Sequence, residues 1–203
     1  MALLPNIGNS EEIETREANE DLTYQLVYSR EFSSPFALKP LDSSYQFHFI
    51  SGISSLLPTV TGVLGRYGAM GLVKTSVKVM TPKRILYLLT KRGEIVHSGW
   101  LNLGFCNFYP VKSGDVVVGP IWTAEAERGK GLATSALQLA LNEMINNGRS
   151  GFFYIDTTHD NLAAQHVIEK SGFGPPTATF VETDHGWEVH ERLQNRSREN
   201  ISE

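Results

Sequence analysis

The chain has 203 residues, 41% of them hydrophobic and 20% charged, which is the composition of an ordinary globular protein with room for one full core. Its net charge of −4 is concentrated at the start: residues 1–21 hold Glu11, Glu12, Glu14, Glu17, Glu20 and Asp21 against Arg16, and the remainder sums to +1. A nearly neutral body argues against nucleic acid as the main partner, and no apolar run approaches the ~18 residues of a membrane span, so none is predicted.

Residues 1–21 read as an acidic, mobile tail. A single domain is predicted over 22–193, and 194–203 form a second polar tail. The pattern is weak through 22–83, where Leu22–Tyr28 reads as a strand and the glycine-rich stretch Thr59–Met80 as a helical region. Ile85–Leu89 is a short continuous apolar run, as in a strand buried on both faces. Lys91-Arg92-Gly93-Glu94 reads as a turn that returns the chain through Ile95–Leu103 as a hairpin.

The one cysteine, Cys106, cannot close an internal disulfide, which fits a reducing compartment. With Met1-Ala-Leu-Leu-Pro lacking a basic leader, a cytoplasmic location is expected. No basic residue flanks Cys106 to lower its pKa, so it is expected to be a packed thiol rather than a nucleophile.

After a turn at Val111–Asp115, the β-branched run Val116–Thr123 is broken by Gly119-Pro120. Proline cannot donate to a ladder, so the strand must splay or bulge there and leave backbone groups free for a ligand. A helix follows, with Ala133, Leu137, Ala140, Leu141 and Met144 predicted on its inner face and Asn146-Asn147-Gly148 as its stop. Phe152–Asp156 is a further strand. Asp160 or Asn161 then caps a helix whose inner stripe is Ala164, Val167, Ile168 and Ser171, ended by Gly172 with Phe173 returning to the core. Thr177–Thr183 and Trp187–Arg192 are expected to close the fold as a strand pair.

Between the broken strand and the first of these helices lies Arg128-Gly129-Lys130-Gly131-Leu132-Ala133. Consecutive amides at a helix N-terminus receive phosphate, the glycines permit close backbone approach, and Arg128 and Lys130 add positive charge. A P-loop would require Ser or Thr where Gly131 stands, and a dinucleotide fingerprint would require a third glycine where Thr134 stands.

Taken in order, the broken strand, Arg128-x-x-Gly131-x-Ala133, and Asn161 leading to Glu169-Lys170-Ser171-Gly172-Phe173 resemble the GNAT superfamily of acyl-CoA-dependent N-acyltransferases over about residues 84–175. The resemblance implies an α/β GNAT fold: a mixed, mostly antiparallel sheet splayed at its fourth strand and flanked by helices. It implies acetyl-CoA as co-substrate and no metal. The pyrophosphate would lie on the amides of Gly129, Lys130, Gly131, Leu132, Ala133 and Thr134, with Arg128 beside them. The pantetheine arm would pair with the splayed edge at Ile121, Trp122 and Thr123. Asn161 would either bond that arm or simply cap its helix. The implied reaction is direct acetyl transfer to a primary amine, whether an amino sugar, a small metabolite or a protein N-terminus; a non-catalytic acyl-CoA-binding module is the alternative. The acceptor is a small molecule or peptide, and a homodimer is left open.

Many members of the family carry a tyrosine acid where this chain has Ile168. The groups eligible as base are His159, His97, Asp115, Tyr109 and Glu125, with His159 foremost because it follows a strand end at the helix start. His97 also reads as a core histidine. His185, Trp122, Trp100, Tyr109 and Phe108 are candidates for an acceptor wall, although packing is the default role of aromatics.

Overall fold

The computed structural model describes residues 24–149, 151–183 and 186–193. The tails read at 1–21 and 194–203, and His185, lie outside the described residues. Eight strands form one sheet in the order β2-β3-β4-β5-β6-β1-β7-β8. They are β1 (Tyr24–Glu31), β2 (Tyr45–Ile50), β3 (Arg84–Lys91), β4 (Glu94–Leu103), β5 (Val116–Thr123), β6 (Phe152–Thr158), β7 (Ala178–Thr183) and β8 (Gly186–Arg192). All neighbours are antiparallel except β5 and β6.

Strand β3 is buried along Ile85–Thr90 because helices lie on both of its faces. Ile85, Tyr87 and Leu89 point into a core shared with α3 (Leu132–Asn146), whereas Leu86 and Leu88 pack with Val63 and Val79 of α2 (Val60–Met80). Tyr87 is paired with Gly99 across the ladder, and a Cβ there would stand 2.2 Å from the tyrosine oxygen, so β4 has room only for glycine. A short α1 (Ile53–Leu56) leads into α2, and α4 (Leu162–Lys170) follows β6. Near its middle, α2 is kinked at Gly68, whose φ of +69° is open to glycine at little cost.

Three expectations need correction. The stretch Tyr45–Ile50, unassigned from sequence, is a strand, so the interrupted strand Val116–Thr123 is fifth in the chain rather than fourth. On α3 the buried apolar positions are Leu132, Ala136, Leu137, Ala140, Leu141 and Met144, with Ala133 only half-buried. Both phases satisfy helical spacing, and packing beneath the sheet selects the one that includes Leu132. The first strand runs Tyr24–Glu31 rather than ending at Tyr28.

Candidate active site

The parallel ladder between β5 and β6 has only three rungs, Val116 with Phe153, Val117 with Tyr154 and Val118 with Ile155. Beyond Val118 the chain enters Gly119-Pro120, and β5 continues to Thr123 paired only with β4. Strand β6 likewise continues to Thr158 paired only with β1. The two diverge, and the backbone edge of Ile121, Trp122 and Thr123 that would have faced β6 is left open. The splay expected at Val118–Trp122 is therefore present.

The Gly-rich loop stands at the open end of this gap. Gly131 is the N-cap of α3 with φ +76°, and the first helical hydrogen bond runs from the Ser135 amide to the Gly131 carbonyl at 3.0 Å. The amides of Gly129 through Thr134 find no backbone acceptor among the described residues. Six unspent donors at a helix N-terminus fit a diphosphate.

The two cations of the loop are partly engaged. Lys130 Nζ lies 2.7 Å from a Glu127 carboxylate oxygen, and Lys91 Nζ lies 2.9 Å from the other. Tyr45 donates its hydroxyl to Glu127 at 2.6 Å. These donors, led by Lys130, hold the Glu127 carboxyl down to about 2. The cluster ties the loop to β2 and β3, so Lys130 anchors as much as it attracts. Arg128 reaches back to the Thr123 carbonyl at 3.3 Å and is otherwise exposed.

Asn161 lies across the gap. Its Oδ1 accepts the Ala164 amide at 3.1 Å as the N-cap of α4, which leaves its Nδ2 donor for other use. Replacing Asn161 with alanine should lower stability by about 1 kcal/mol, the usual worth of such a cap. Urea denaturation measures that loss, and a weakening of acetyl-CoA binding beyond tenfold in the same variant would show that the amide also holds the cofactor arm.

The eligible bases separate by location. Asp115 is buried and accepts the amides of Lys112 and Phe152, a turn-forming role. Glu125 is exposed in the short turn before the loop. His97 is fully buried on the α3 side of the sheet, bonded through Nδ1 to Thr123 Oγ1 at 2.8 Å. His159 is exposed just past β6; its backbone amide bonds Tyr24 and its carbonyl accepts from Gln165. Tyr109, also buried, donates to Asp156 at 2.9 Å, and burial with that carboxylate beside it pushes the phenol far up.

Asp156 was not singled out from sequence. It is the first β6 residue beyond the last parallel rung, and Gln25 and Tyr109 hold its two oxygens. Its signal was an acid closing the otherwise apolar run Phe152-Phe153-Tyr154-Ile155.

Asp156 shares its sheet face with Trp122 and Trp100. On that face Arg66 of α2 stacks its guanidinium 3.1 Å from the centre of the Trp122 ring, and the Tyr67 hydroxyl lies 3.0 Å from Ser98 Oγ. Phe108 and Trp187 meet edge to face, with ring centres 5.6 Å apart. These side chains share the face of the sheet opposite α3. Ile168 is buried in the core and offers no proton. Cys106 is half-buried and accepts the Phe108 amide at 3.4 Å.

Residues 83–173 match the model of the family described as Acetyltransferase (GNAT) family. A search of curated proteins found no match. The structure resembles an acetyltransferase from the GNAT family of Colwellia psychrerythraea at 19% identity and a TM-score of 0.51, covering 84% of this chain and 54% of that one. A tandem GNAT protein from the clavulanic acid biosynthesis pathway matches at 12% identity and a TM-score of 0.57, over 86% and 55%. The aminoglycoside acetyltransferase AAC(6')-Iy, in complex with a CoA-linked bisubstrate analogue, matches at 14% identity and a TM-score of 0.51, over 77% and 99%. The chain thus spans about half the length of the first two proteins. At these identities the likeness is one of fold. The family model thus lies on the splayed strand, the amide-rich loop and the Asn161-capped helix, so that residues 83–173 resemble a GNAT acetyltransferase domain.

Proposed function

We propose that the protein transfers the acetyl group of acetyl-CoA to a primary amine by direct attack in a ternary complex. The carrying observation is the divergence of β5 from β6 after three rungs, with six free amides at its open end. Pyrophosphate on the amides of Gly129–Thr134, beside Arg128 and Lys130, leaves a pantetheine-length arm directed along the open edge of Ile121, Trp122 and Thr123. The likeness in fold to an acetyltransferase solved with a CoA-linked analogue supports this choice of ligand.

The amine enters from the face of the sheet opposite α3, over the gap. Alkylamines are mostly protonated near neutral pH, so a base must take one proton before nitrogen attacks the thioester carbonyl. The base we assign to this step is either Asp156, the first β6 residue beyond the last parallel rung, or His159, exposed just past the end of β6. An open β5 amide stabilises the oxyanion as it forms, and the carbon–sulfur bond then breaks to release CoA thiolate.

The test has two parts. Acetyl-CoA at 100 times its Kd should stabilise the fold by about 2.7 kcal/mol. Thiol release across an amine panel should then show turnover, and Asp156→Asn and His159→Gln identify the base by their kcat. Stabilisation with no turnover on any amine would favour an acyl-CoA-binding module, and no stabilisation at millimolar acetyl-CoA would overturn both.

A further inference from the structure

Arg66, stacked on Trp122, also lines a cavity of about 500 Å³ between α2 and the β3–β4 turn. Thr61, Gly62, Gly65, Arg66, Arg92 and Glu94 are among its lining. Two of these are arginines that form no ion pair with any described carboxylate. Of the other cations on the turn, Lys91 is already spent on Glu127.

Three further observations point the same way. No acidic residue occurs between Asp42 and Glu94, a stretch that holds seven lysines and arginines, so Glu94 is the only carboxylate in the lining. Arg92 sits at φ +53°, a left-handed turn position where asparagine or glycine is usual. A locally disfavoured residue there puts a cation at the cavity rim. Gly65 and Gly93 of the lining have nothing within 4 Å of where a Cβ would stand, so the backbone there is open to a polar group.

We propose that this cavity binds the anionic group, carboxylate or phosphate, of an amine acceptor, so that the substrate is an acidic amine rather than a polycation. This rests on the acetyltransferase reading. Arg66 is the hinge of the proposal: it lines the cavity and is stacked on Trp122, the middle residue of the open β5 edge. A planar guanidinium held flat by an aromatic ring is preorganised for bidentate contact with a carboxylate or phosphate. An acceptor anchored there by its anion reaches the gap with its amine.

Calorimetry on the CoA-saturated protein with L-glutamate, phosphoethanolamine and spermidine, together with kinetics on the same amines, tests this. One or both of the anionic amines should bind and spermidine should not. Arg66→Gln and Arg92→Gln should each raise Kd and KM for the anionic amine by roughly ten- to a hundredfold, the range of a charge-assisted hydrogen bond. The KM for acetyl-CoA should stay unchanged in both, and Arg92→Gln should also leave the melting temperature unchanged. Arg66→Lys, which keeps charge but not the stacked fork, should recover only part of the affinity. Preferential use of spermidine, or undiminished anion binding in the double Gln variant, overturns the proposal while leaving the acetyltransferase reading intact. Anion binding that depends on Arg66 and Arg92 with no acetylation of any amine supports the site and rejects the reaction.

Discussion

Replacing Gly131 with aspartate should abolish acetyl-CoA binding and leave the protein folded. Gly131 is the N-cap of α3, in the left-handed region, and no atom lies within 4 Å of where its Cβ would stand. Aspartate and asparagine are the residues other than glycine that visit that region most readily, so the apo protein should lose only about 1–2 kcal/mol. The consequence for the anion site is severe. A carboxylate enters the centre of six free amides, where it accepts one or two of them and repels a diphosphate. Each charge-assisted bond lost is worth about 1.5–3 kcal/mol, so Kd for acetyl-CoA should rise by more than about a hundredfold. Gly131→Asn separates charge from shape: it has the same backbone tolerance and size, and should weaken binding much less. Thermal melts with and without acetyl-CoA measure both. Equal ligand stabilisation in Gly131→Asp and the parent protein would show that the pyrophosphate does not sit on this loop.

The elements of this anion site were legible in the sequence because each is local. Gly119-Pro120 breaks β5, two glycines open α3, and Asn161 caps α4, all within a few residues of the group each positions. What escaped depends on contacts distant along the chain. Arg66 and Trp122 are stacked although 56 positions separate them, and Asp156 gains meaning only when Gln25 and Tyr109 arrive from β1 and the loop before β5. Strand β2 is a different case. Tyr45, Phe47 and Phe49 alternate with Gln46 and His48 and all three pack on the α3-side core, so the period-2 signal was present but short. The anchoring of Lys130 by Glu127 also follows from tertiary placement. Nothing in Glu127-Arg128-Gly129-Lys130 tells that Tyr45 and Lys91 will converge on the same carboxylate.

His97 should make the fold lose stability in mild acid while its cofactor site keeps its affinity. The imidazole is fully buried, and burial pushes its pKa down to about 4 from an ordinary value near 6.5. Nδ1 bonds Thr123 and Nε2 has no partner among the described residues. The neutral form is the one that fits, since a charge there would be stranded beside the Tyr87 ring, 5.8 Å away centre to centre. The folded pKa lies below the unfolded one, so the unfolded chain takes up the proton first. Stability is therefore full above pH 6.5 and declines as pH falls toward 4, by at most about 1.4 kcal/mol per pH unit and by about 3 kcal/mol in all. His48, half-buried and shifted in the same direction, adds to the slope, whereas Glu127 stays charged almost throughout that window. Urea denaturation at pH 7, 5.5 and 4.5 should show the decline, and His97→Gln, which keeps a polar group near Thr123, should remove most of it. A parent protein equally stable at all three values would contradict the assignment. Cofactor affinity behaves differently because it depends only on folded molecules. In those, His97 stays neutral down to about pH 4 and keeps its hold on Thr123, the last residue of the open β5 edge. Acetyl-CoA should accordingly bind with the same Kd at pH 5.5 as at pH 7, under conditions where the fold itself is measurably weaker.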